Sequence, residues 1–357
     1  MNVARYSGMQ PDTRRNVAIW LLVCSGMVAA MVIIGGITRL TESGLSMTEW
    51  RPLVGWIPPL SEAEWQRIFE RYRLTSEYRI QFPGMDLEEF KTIFWWEYIH
   101  RVWGRLIGLA FGLPLLWFML RRRIDRPLVP HLVVLFLLGG LQGLIGWWMV
   151  NSGFVDRDDV SQYRLTVHLG MAIIILGYLL WVAFGLLSSG DGKEAPPGLR
   201  TLSRVVVGAA FITILSGGMV AGINAGLIHN TWPLMDGGVL PDGMAAMSPI
   251  WLNAFENHAT VQFNHRLFAY ITALLTAVLW LRARRAGLGP RAHRAVNALA
   301  IAVICQVILG ISTLLLVVPI GLAVLHQAGA VAVFALALWC SWELPAATTA
   351  QLRPAPR

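Results

Sequence analysis

The strongest constraint on this chain is a series of apolar segments that are too long for the core of a small water-soluble domain. The 357-residue sequence is 55% hydrophobic and only 14% charged, with a mean hydropathy of +0.55. About 20 consecutive apolar residues cross the hydrocarbon core of a bilayer. Eight such spans are predicted, at residues 17–38, 94–119, 128–150, 163–187, 201–222, 259–281, 293–317 and 320–342. The predicted fold class is therefore all-α, a polytopic membrane protein.

The last two predicted spans are almost continuous, because the sequence from Ala295 to Trp342 is nearly unbroken in its apolar character. Pro319 and Gly321, within Val318-Pro319-Ile320-Gly321, supply a turn signal inside it. Proline cannot continue a helix from its amino side, so we expect a tight hairpin at this point.

Basic residues are concentrated in the loops on one side of the predicted bundle. They are Arg5, Arg14, Arg15, Arg121, Arg122, Arg123, Arg126, Lys193, Arg200, Arg282, Arg284, Arg285, Arg291 and Arg294. By the positive-inside rule this side faces the cytoplasm, or the matrix in a mitochondrion, and both termini lie there. The net charge of +8 follows from this bias, so no nucleic-acid partner is expected.

The order of features in residues 17–187 recurs in residues 201–342, which indicates an internal duplication. Four motif pairs carry it: Gly35-Gly36 with Gly217-Gly218, Glu97-Tyr98-Ile99-His100-Arg101 with Gln262-Phe263-Asn264-His265-Arg266, Gln142 and Gly146 with Gln306 and Gly310, and His168 with His326. Each half has an even number of spans, so the halves are predicted to be two pseudo-symmetric four-helix bundles related by an axis along the membrane normal.

The repeat also predicts the division of the chain. An N-terminal half covers residues 1–187 and contains a long outer loop at 39–93. An inner linker at 188–200 connects it to a C-terminal half at 201–345, and residues 346–357 form an inner tail.

Four histidines, His100, His168, His265 and His326, occupy matching places near the predicted outer ends of even-numbered spans. Ionisable residues inside a membrane are candidates for function. Imidazoles from neighbouring helices of a bundle can take both axial positions of a haem iron. We therefore predict two haem sites toward the outer face, one formed by His100 with His168 and one by His265 with His326.

Other interpretations of the histidines remain open. Each could be a hydrogen-bonded packing residue. A zinc site is less well supported, because the second pair lacks carboxylate or cysteine partners. His229 and His258, in or near the outer loop before the sixth span, are reserve ligands.

Arg101 and Arg266 each follow a candidate ligand and are placed to meet haem propionates. The alternative is an interfacial arginine that snorkels toward water. Glycines such as Gly139, Gly140, Gly143 and Gly146 either allow close helix packing or clear a face for the haem plane.

One carboxylate breaks the repeat. Glu97 lies three residues before His100, on the same helical face, whereas the matching position before His265 is Gln262. An acid can exchange protons and an amide cannot, so the first half is predicted to perform chemistry and the second to hold a permanent cofactor. The alternative is that Glu97 is an interfacial cap, or an ion-pair partner of Arg101 at i+4.

Together these motifs resemble the haem A synthase family, the CtaA and COX15 proteins, through essentially the whole chain. The most specific segments are 35–46, 97–101, 229–235, 264–266 and the His326-Gln327 pair. The resemblance implies oxidation of the C8 methyl of haem O to a formyl group, which gives haem A for terminal oxidases. It further implies that His265 and His326 hold a resident haem b, that His100 and His168 face the substrate haem, and that Glu97 is the catalytic acid.

The resemblance also implies a multi-pass protein of the bacterial inner membrane, haem O synthase as a possible partner, a ferredoxin as electron donor and a possible homo-oligomer. Some bacterial members carry a cysteine pair in the first outer loop, but residues 39–93 contain no cysteine. That longer loop resembles the mitochondrial and alphaproteobacterial branch, and its segment Glu62 to Arg79 is expected to form an amphipathic helix on the outer surface.

Two other functions are compatible with the same residues. A di-haem b-type cytochrome would use all four histidines as permanent ligands and pass electrons between quinone and a partner. A non-catalytic haem carrier or assembly factor would need the ligands but no catalytic acid.

Overall fold

A computed structural model of the protein describes residues 9–50, 55–155, 159–187 and 195–344. Within these residues, eight helices are long and apolar enough to cross a membrane, which confirms the predicted fold class. They are α1 (Pro11–Leu40), α4 (Leu87–Leu120), α5 (Val129–Val155), α6 (Gln162–Leu187), α7 (Pro197–Gly222), α9 (His258–Arg285), α10 (Pro290–Leu315) and α11 (Ile320–Trp342). Shorter helices in the connections are α2 (Glu62–Tyr72), α3 (Ser76–Ile80) and α8 (Asn253–Glu256).

The largest difference from the predicted spans is at the start of α4, which begins at Leu87 rather than at residue 94. A capping box starts it: Glu89 N donates to Asp86 Oδ1 at 2.9 Å, and Asp86 N donates to Glu89 Oε2 at 3.0 Å. Hydropathy alone misses this polar first part of the helix. His100 consequently lies in about the fourth turn of α4 instead of its first turns.

The predicted hairpin between the last two spans is confirmed, but Gly321 does not form it. Helix α10 ends at Leu315, Pro319 is the N-cap of α11, and Gly321 lies inside α11. Val317 and Val318 adopt the left-handed conformation instead, with φ of 60° and 56°. The chain therefore reverses directly at the end of α10, before the proline, where a glycine would be the usual residue.

Helices α1, α6, α7 and α11 form the centre of the molecule. Helix α1 packs against α4, α6 and α11, while α7 packs against α6, α9 and α11. Helix α5 contacts α4 and α6, and α10 contacts α9 and α11. Each outer pair is thus attached to two central helices, and the halves meet through α6 with α7 and α1 with α11. These matched pairings favour the predicted two-fold relation of the halves, which stays a proposal.

The outer loop contains the predicted amphipathic segment, divided into α2 and α3 by residues 73–75. Its apolar face packs on the extension of α4 rather than remaining free for lipid. Trp65 contacts Phe94 with ring centroids 4.8 Å apart, and Tyr72 contacts Phe90 at 5.1 Å. The two short helices therefore form a small aromatic domain over the outer part of α4.

Some predicted features lie outside the described residues. They are the inner tail 346–357, residues 188–194 of the inner linker, and the basic residues Arg5 and Lys193.

The aromatic domain buries a carboxyl group, and this predicts a dependence of its stability on pH. Only 3% of Glu77 is exposed. Burial, followed by the negative charges of neighbouring carboxylates, raises the pKa of Glu77 from its ordinary 4.5 to about 8. Since the unfolded state loses this proton first, the domain should be most stable below about pH 4.5 and should lose stability as the pH rises toward 8. Glu77→Gln should remove this trend.

Hydrogen exchange of residues 61–81 in the full-length protein in detergent, corrected for intrinsic rates, measures the effect. Glu70→Gln is the matched control, because the Glu70 side chain on α2 is 62% exposed and should leave the pH trend intact. Equal pH dependence of the original protein and Glu77→Gln would contradict the prediction.

Candidate haem sites

The second histidine pair has the separation that two axial ligands of one iron require. His265 on α9 and His326 on α11 have ring centroids 6.4 Å apart and ring planes inclined at 86°. With metal–imidazole nitrogen bonds of about 2 Å on each side, the centroids of two trans ligands lie roughly 6 Å apart. The residues present therefore fit a bis-histidine haem iron between α9 and α11.

Glycines face the imidazole rings from neighbouring helices. A Cβ added to Gly310 would lie 2.8 Å from His326 Cε1, and one added to Gly146 would lie 2.9 Å from His168 Cε1. Gly217 and Gly35 stand in the same relation to His265 and His100, at 3.2 and 3.4 Å. Gly310, Gly146 and Gly217 therefore clear space for the facing imidazoles, whereas a Cβ on Gly35 would be in ordinary van der Waals contact with His100.

The glycines of α5 named together in the sequence differ from one another. Gly146 contacts the His168 ring, whereas a Cβ on Gly139, Gly140 or Gly143 would meet no atom within 4 Å. Neither close helix packing nor contact with a ring therefore explains those three.

Polar side chains hold the Nδ1 side of both imidazoles in the second half. Ser216 Oγ donates to Thr213 O at 2.8 Å and lies 2.9 Å from His265 Nδ1. Because its proton is already donated, the hydroxyl accepts from Nδ1–H, and this tautomer leaves Nε2 free for a metal. Gln306 Nε2 lies 3.1 Å from His326 Nδ1 and donates to His326 O at 2.8 Å. An amide nitrogen is only a donor, so this contact anchors His326 without selecting the Nδ1–H tautomer that Ser216 selects in His265.

The first histidine pair lacks these contacts. His168 Nδ1 is buried without a hydrogen-bond partner, and Gln142, the counterpart of Gln306, reaches only His168 O at 3.1 Å. Isoleucine at position 34 replaces the serine found at 216. The His168 imidazole is therefore less constrained than that of His265.

Glu97 is fixed by contacts with the outer loop. Ser46 Oγ donates to Glu97 Oε2 at 2.7 Å, and Met47 N donates to the same oxygen at 2.6 Å. Arg101 forms an ion pair with the other oxygen. Only 2% of Glu97 is exposed and α4 begins ten residues earlier, so the interpretation of Glu97 as an interfacial cap is wrong, while the ion pair with Arg101 is present.

Arg101 and Arg266 bind the loops that follow the first helix of each half. Arg101 donates to Met47 O at 2.8 Å and Glu49 O at 2.7 Å. Arg266 donates to His229 O at 2.7 Å and Thr231 O at 3.0 Å, and also to Gln262 Oε1 at 3.0 Å. Both guanidinium groups are thus largely engaged, and their contact with propionates stays a prediction.

Gln262 occupies in the second half the position that Glu97 occupies in the first. As an amide it donates hydrogen bonds to the loop, whereas the Glu97 carboxylate accepts them. Its Nε2 donates to Ala225 O at 2.9 Å and Ile228 O at 2.5 Å. Both side chains therefore join a loop to an arginine, but only the first half has a group there that can gain and lose a proton.

The structure brings His265 together with His326 and Glu97 together with Arg101, as predicted. The reserve ligand His229 is instead paired with Asp236 at 2.6 Å in the outer loop, and His258 starts α9. Sequence reasoning missed the roles of Ser216 and Gln306. Both residues belong to the repeated motifs. The position before the glycine pair is Ile34 in the first half and Ser216 in the second, and this difference was the sequence signal for the role of Ser216.

Comparisons with known proteins cover most of this chain. Residues 18–338 match the sequence family described as Cytochrome oxidase assembly protein, COX15-CtaA. The protein named Heme A synthase of Nitrosospira multiformis is 52% identical over 334 residues, which cover 93% of this chain and 94% of the relative. The Heme A synthase of Parvibaculum lavamentivorans is 50% identical over 323 residues, covering 90% and 92%. That of Rhodospirillum centenum is 53% identical over 324 residues, covering 90% and 87%.

The contact at Gly310 predicts that adding one methyl group there prevents haem binding at the second site. In Gly310→Ala the new Cβ would collide with His326, displace the ring and prevent bis-histidine ligation. We expect loss of the corresponding Soret absorbance from purified protein, with normal amounts of chain in the membrane. Gly208→Ala is the control, because a Cβ there meets no atom within 4 Å. Retention of the full absorbance in Gly310→Ala would refute this assignment.

The contact of Ser216 with His265 predicts a shift of redox potential. A hydrogen bond from Nδ1–H makes an imidazole a stronger donor to the metal and stabilises the ferric state. Ser216→Ala should therefore raise the midpoint potential of the haem in the second half without removing it. A spectroelectrochemical titration measures this. Ser203→Ala on the same helix removes a buried hydroxyl that donates to Arg200 O, and should leave the potential unchanged.

Proposed function

The chain belongs to the COX15-CtaA family of cytochrome oxidase assembly proteins, and from this premise we propose that it is a haem A synthase. It is a membrane oxidoreductase that oxidises the C8 methyl of haem O to the formyl group of haem A. Relatives named Heme A synthase at about 50% identity over most of the chain support this activity.

The observation that carries the division of labour is the difference between the two histidine pairs. His265 and His326 have polar groups at Nδ1, at 2.9 and 3.1 Å, whereas His168 Nδ1 has none. A hydrogen bond donated by the second ring nitrogen, as His265 Nδ1 makes to Ser216 Oγ, fixes the orientation of a ligand and increases its basicity. At His326 the Gln306 amide is the donor, and it anchors the residue through His326 O. The second pair is therefore suited to a permanent haem b, and the first pair to a haem that enters and leaves.

We assign His100 and His168 to the iron of the substrate haem, and His265 and His326 to the iron of haem b. When bound, haem b supplies a redox centre that exchanges electrons with the substrate site. Arg101 and Arg266 fix the loops beside the two sites through backbone carbonyls. Their position next to a ligand in the sequence also suits an ion pair with a propionate.

Glu97 is the proposed catalytic acid. Written as a half-reaction, R–CH3 + H2O gives R–CHO + 4 H⁺ + 4 e⁻, so the first site needs a group that can exchange protons. Glu97 provides two carboxylate oxygens there, held by Ser46, Met47 and Arg101. Gln262 at the matching place in the second half cannot perform this step.

The wider setting is proposed from the family and from the loop charges. The protein is placed in the bacterial inner membrane with both termini in the cytoplasm and both haem sites toward the outer face. Haem O synthase is a possible source of the substrate, a ferredoxin is the proposed electron donor, and a homo-oligomer is a possible assembly. The predicted halves, 1–187 and 201–345, correspond to the substrate site and the haem b site.

Glu97→Gln tests the catalytic assignment, because it gives the first half the amide found in the second. The variant is co-produced with a source of haem O, and pigments are extracted and separated by chromatography. We expect at least a hundredfold less haem A, since removal of a general acid or base typically costs about 10²–10⁴-fold in rate. The haem b content and the binding of haem at the first site should be retained.

Two results would change the assignment. Normal haem A from Glu97→Gln would exclude Glu97 as the catalytic acid, and loss of haem from the first site would indicate a structural clamp instead. Ser46→Ala is the matched control, because it removes one hydrogen bond to Glu97 but keeps the carboxylate. If the original chain gave only haem b, two per chain and no haem A, it would be a di-haem cytochrome.

A further inference from the structure

One side chain joins the two histidine sites across the boundary between the halves. Gln327, the residue after His326, extends from α11 to α1, where its Nε2 donates to Val32 O at 2.6 Å. A Cβ on Gly36 would lie only 1.9 Å from Gln327 Oε1, so the amide occupies the space that the glycine leaves. Only a residue without a side chain at position 36 permits this contact.

The preceding residue of α1, Gly35, faces the His100 imidazole of the first site. The position of a Cβ on Gly35 lies 3.4 Å from His100 Nε2. Successive residues of a helix point about 100° apart, so Gly35 and Gly36 face different neighbours. One turn of α1 thus lies between His100 of the first site and Gln327, which follows His326 of the second site.

The equivalent joint on the other side of the molecule has no bridging amide, and the Thr166 hydroxyl there, 3.3 Å from the position of a Cβ on Gly218, is buried without a hydrogen-bond partner. Leu169 follows His168 and packs with its Cδ2 3.1 Å from the position of a Cβ on Gly218, while Gly217 faces His265 at 3.2 Å. The geometry is repeated, but leucine replaces glutamine. The hydrogen bond therefore exists only on the side that connects His326 to His100.

From this juxtaposition we propose that Gln327 is a positioning residue that sets the placement of His100, and so couples the geometry of the substrate site to the haem b site. The amide fixes the backbone of α1 at Val32, and the same segment supports the His100 ring at Gly35. Movement of α11 at the second site is in this way transmitted to a ligand of the first. The inference rests on the proposed assignment of the two haem sites.

Gln327→Met tests the proposal, because methionine has nearly the same length but cannot donate to Val32 O. Protein purified with its haem b is titrated with ferric haem b as the probe for the first site. Affinity is followed by absorbance, and the low-spin signals of both haems are followed by electron paramagnetic resonance. We expect about three- to tenfold weaker binding at the first site, in line with the loss of one hydrogen bond. The g-values of that haem should shift while those of the haem held by His265 and His326 stay unchanged.

Two further variants make the result decisive. Gly36→Ala leaves Gln327 intact but expels its amide, and should reproduce the shifted g-values. Leu169→Met places the same side chain at the equivalent joint, where no hydrogen bond is lost, and should alter neither signal. Unchanged binding and g-values at the first site in Gln327→Met, or changes confined to the His265–His326 haem, would overturn the proposal.

The readouts also separate this inference from the proposed function. They require haem binding at two sites but not the formation of haem A. If the original protein bound no second haem at His100 and His168, the assignment of the substrate site would fail. If it bound that haem and Gln327→Met behaved identically, only the coupling through Gln327 would fail.

Discussion

Four imidazole rings lie among apolar helices, and space for three of them is made by a glycine on a neighbouring helix. A Cβ added to Gly146 would lie 2.9 Å from the His168 ring, and one added to Gly310 would lie 2.8 Å from the His326 ring, so neither position has room for a side chain. Interiors of proteins are packed too densely to absorb such an overlap without displacing the ring. The course of α5 and α10 along their partners α6 and α11 is therefore tied to the placement of the histidines.

The loops that cover the sites are fastened by the same device in both halves. The chain leaves α1 through Glu42 and α7 through Asn224, both in the left-handed conformation with φ of 50° and 54°. Two carbonyls further along, spaced two residues apart, then accept hydrogen bonds from Arg101 or Arg266. Because carbonyls rather than side chains make these contacts, the loop sequences have been free to diverge, and Met47 occupies the place of His229.

The sequence was sufficient for the fold class, the eight spans and the pairing of His265 with His326, because long apolar segments and repeated motifs are local signals. It failed where polar contacts determine the start of a helix or the role of a side chain. The capping box at Asp86 extends α4 into a segment that hydropathy excludes. The role of Ser216 depends on the approach of α7 to α9, and that of Gln327 on the approach of α11 to α1, neither of which any local pattern encodes.

The unequal support of the two histidine pairs has a physical rationale in turnover. A ligand whose Nδ1–H donates a hydrogen bond, as His265 does to Ser216, needs no reorientation to bind iron, and tighter binding is expressed mainly as slower dissociation. That property is useful for a cofactor that stays, but in a site that must release its product it would slow each cycle. Under the proposed assignment, isoleucine at position 34 and the unpaired Nδ1 of His168 leave the first site without such a hydrogen bond. We propose that this difference in hydrogen bonding separates a site that holds its haem from one that exchanges it.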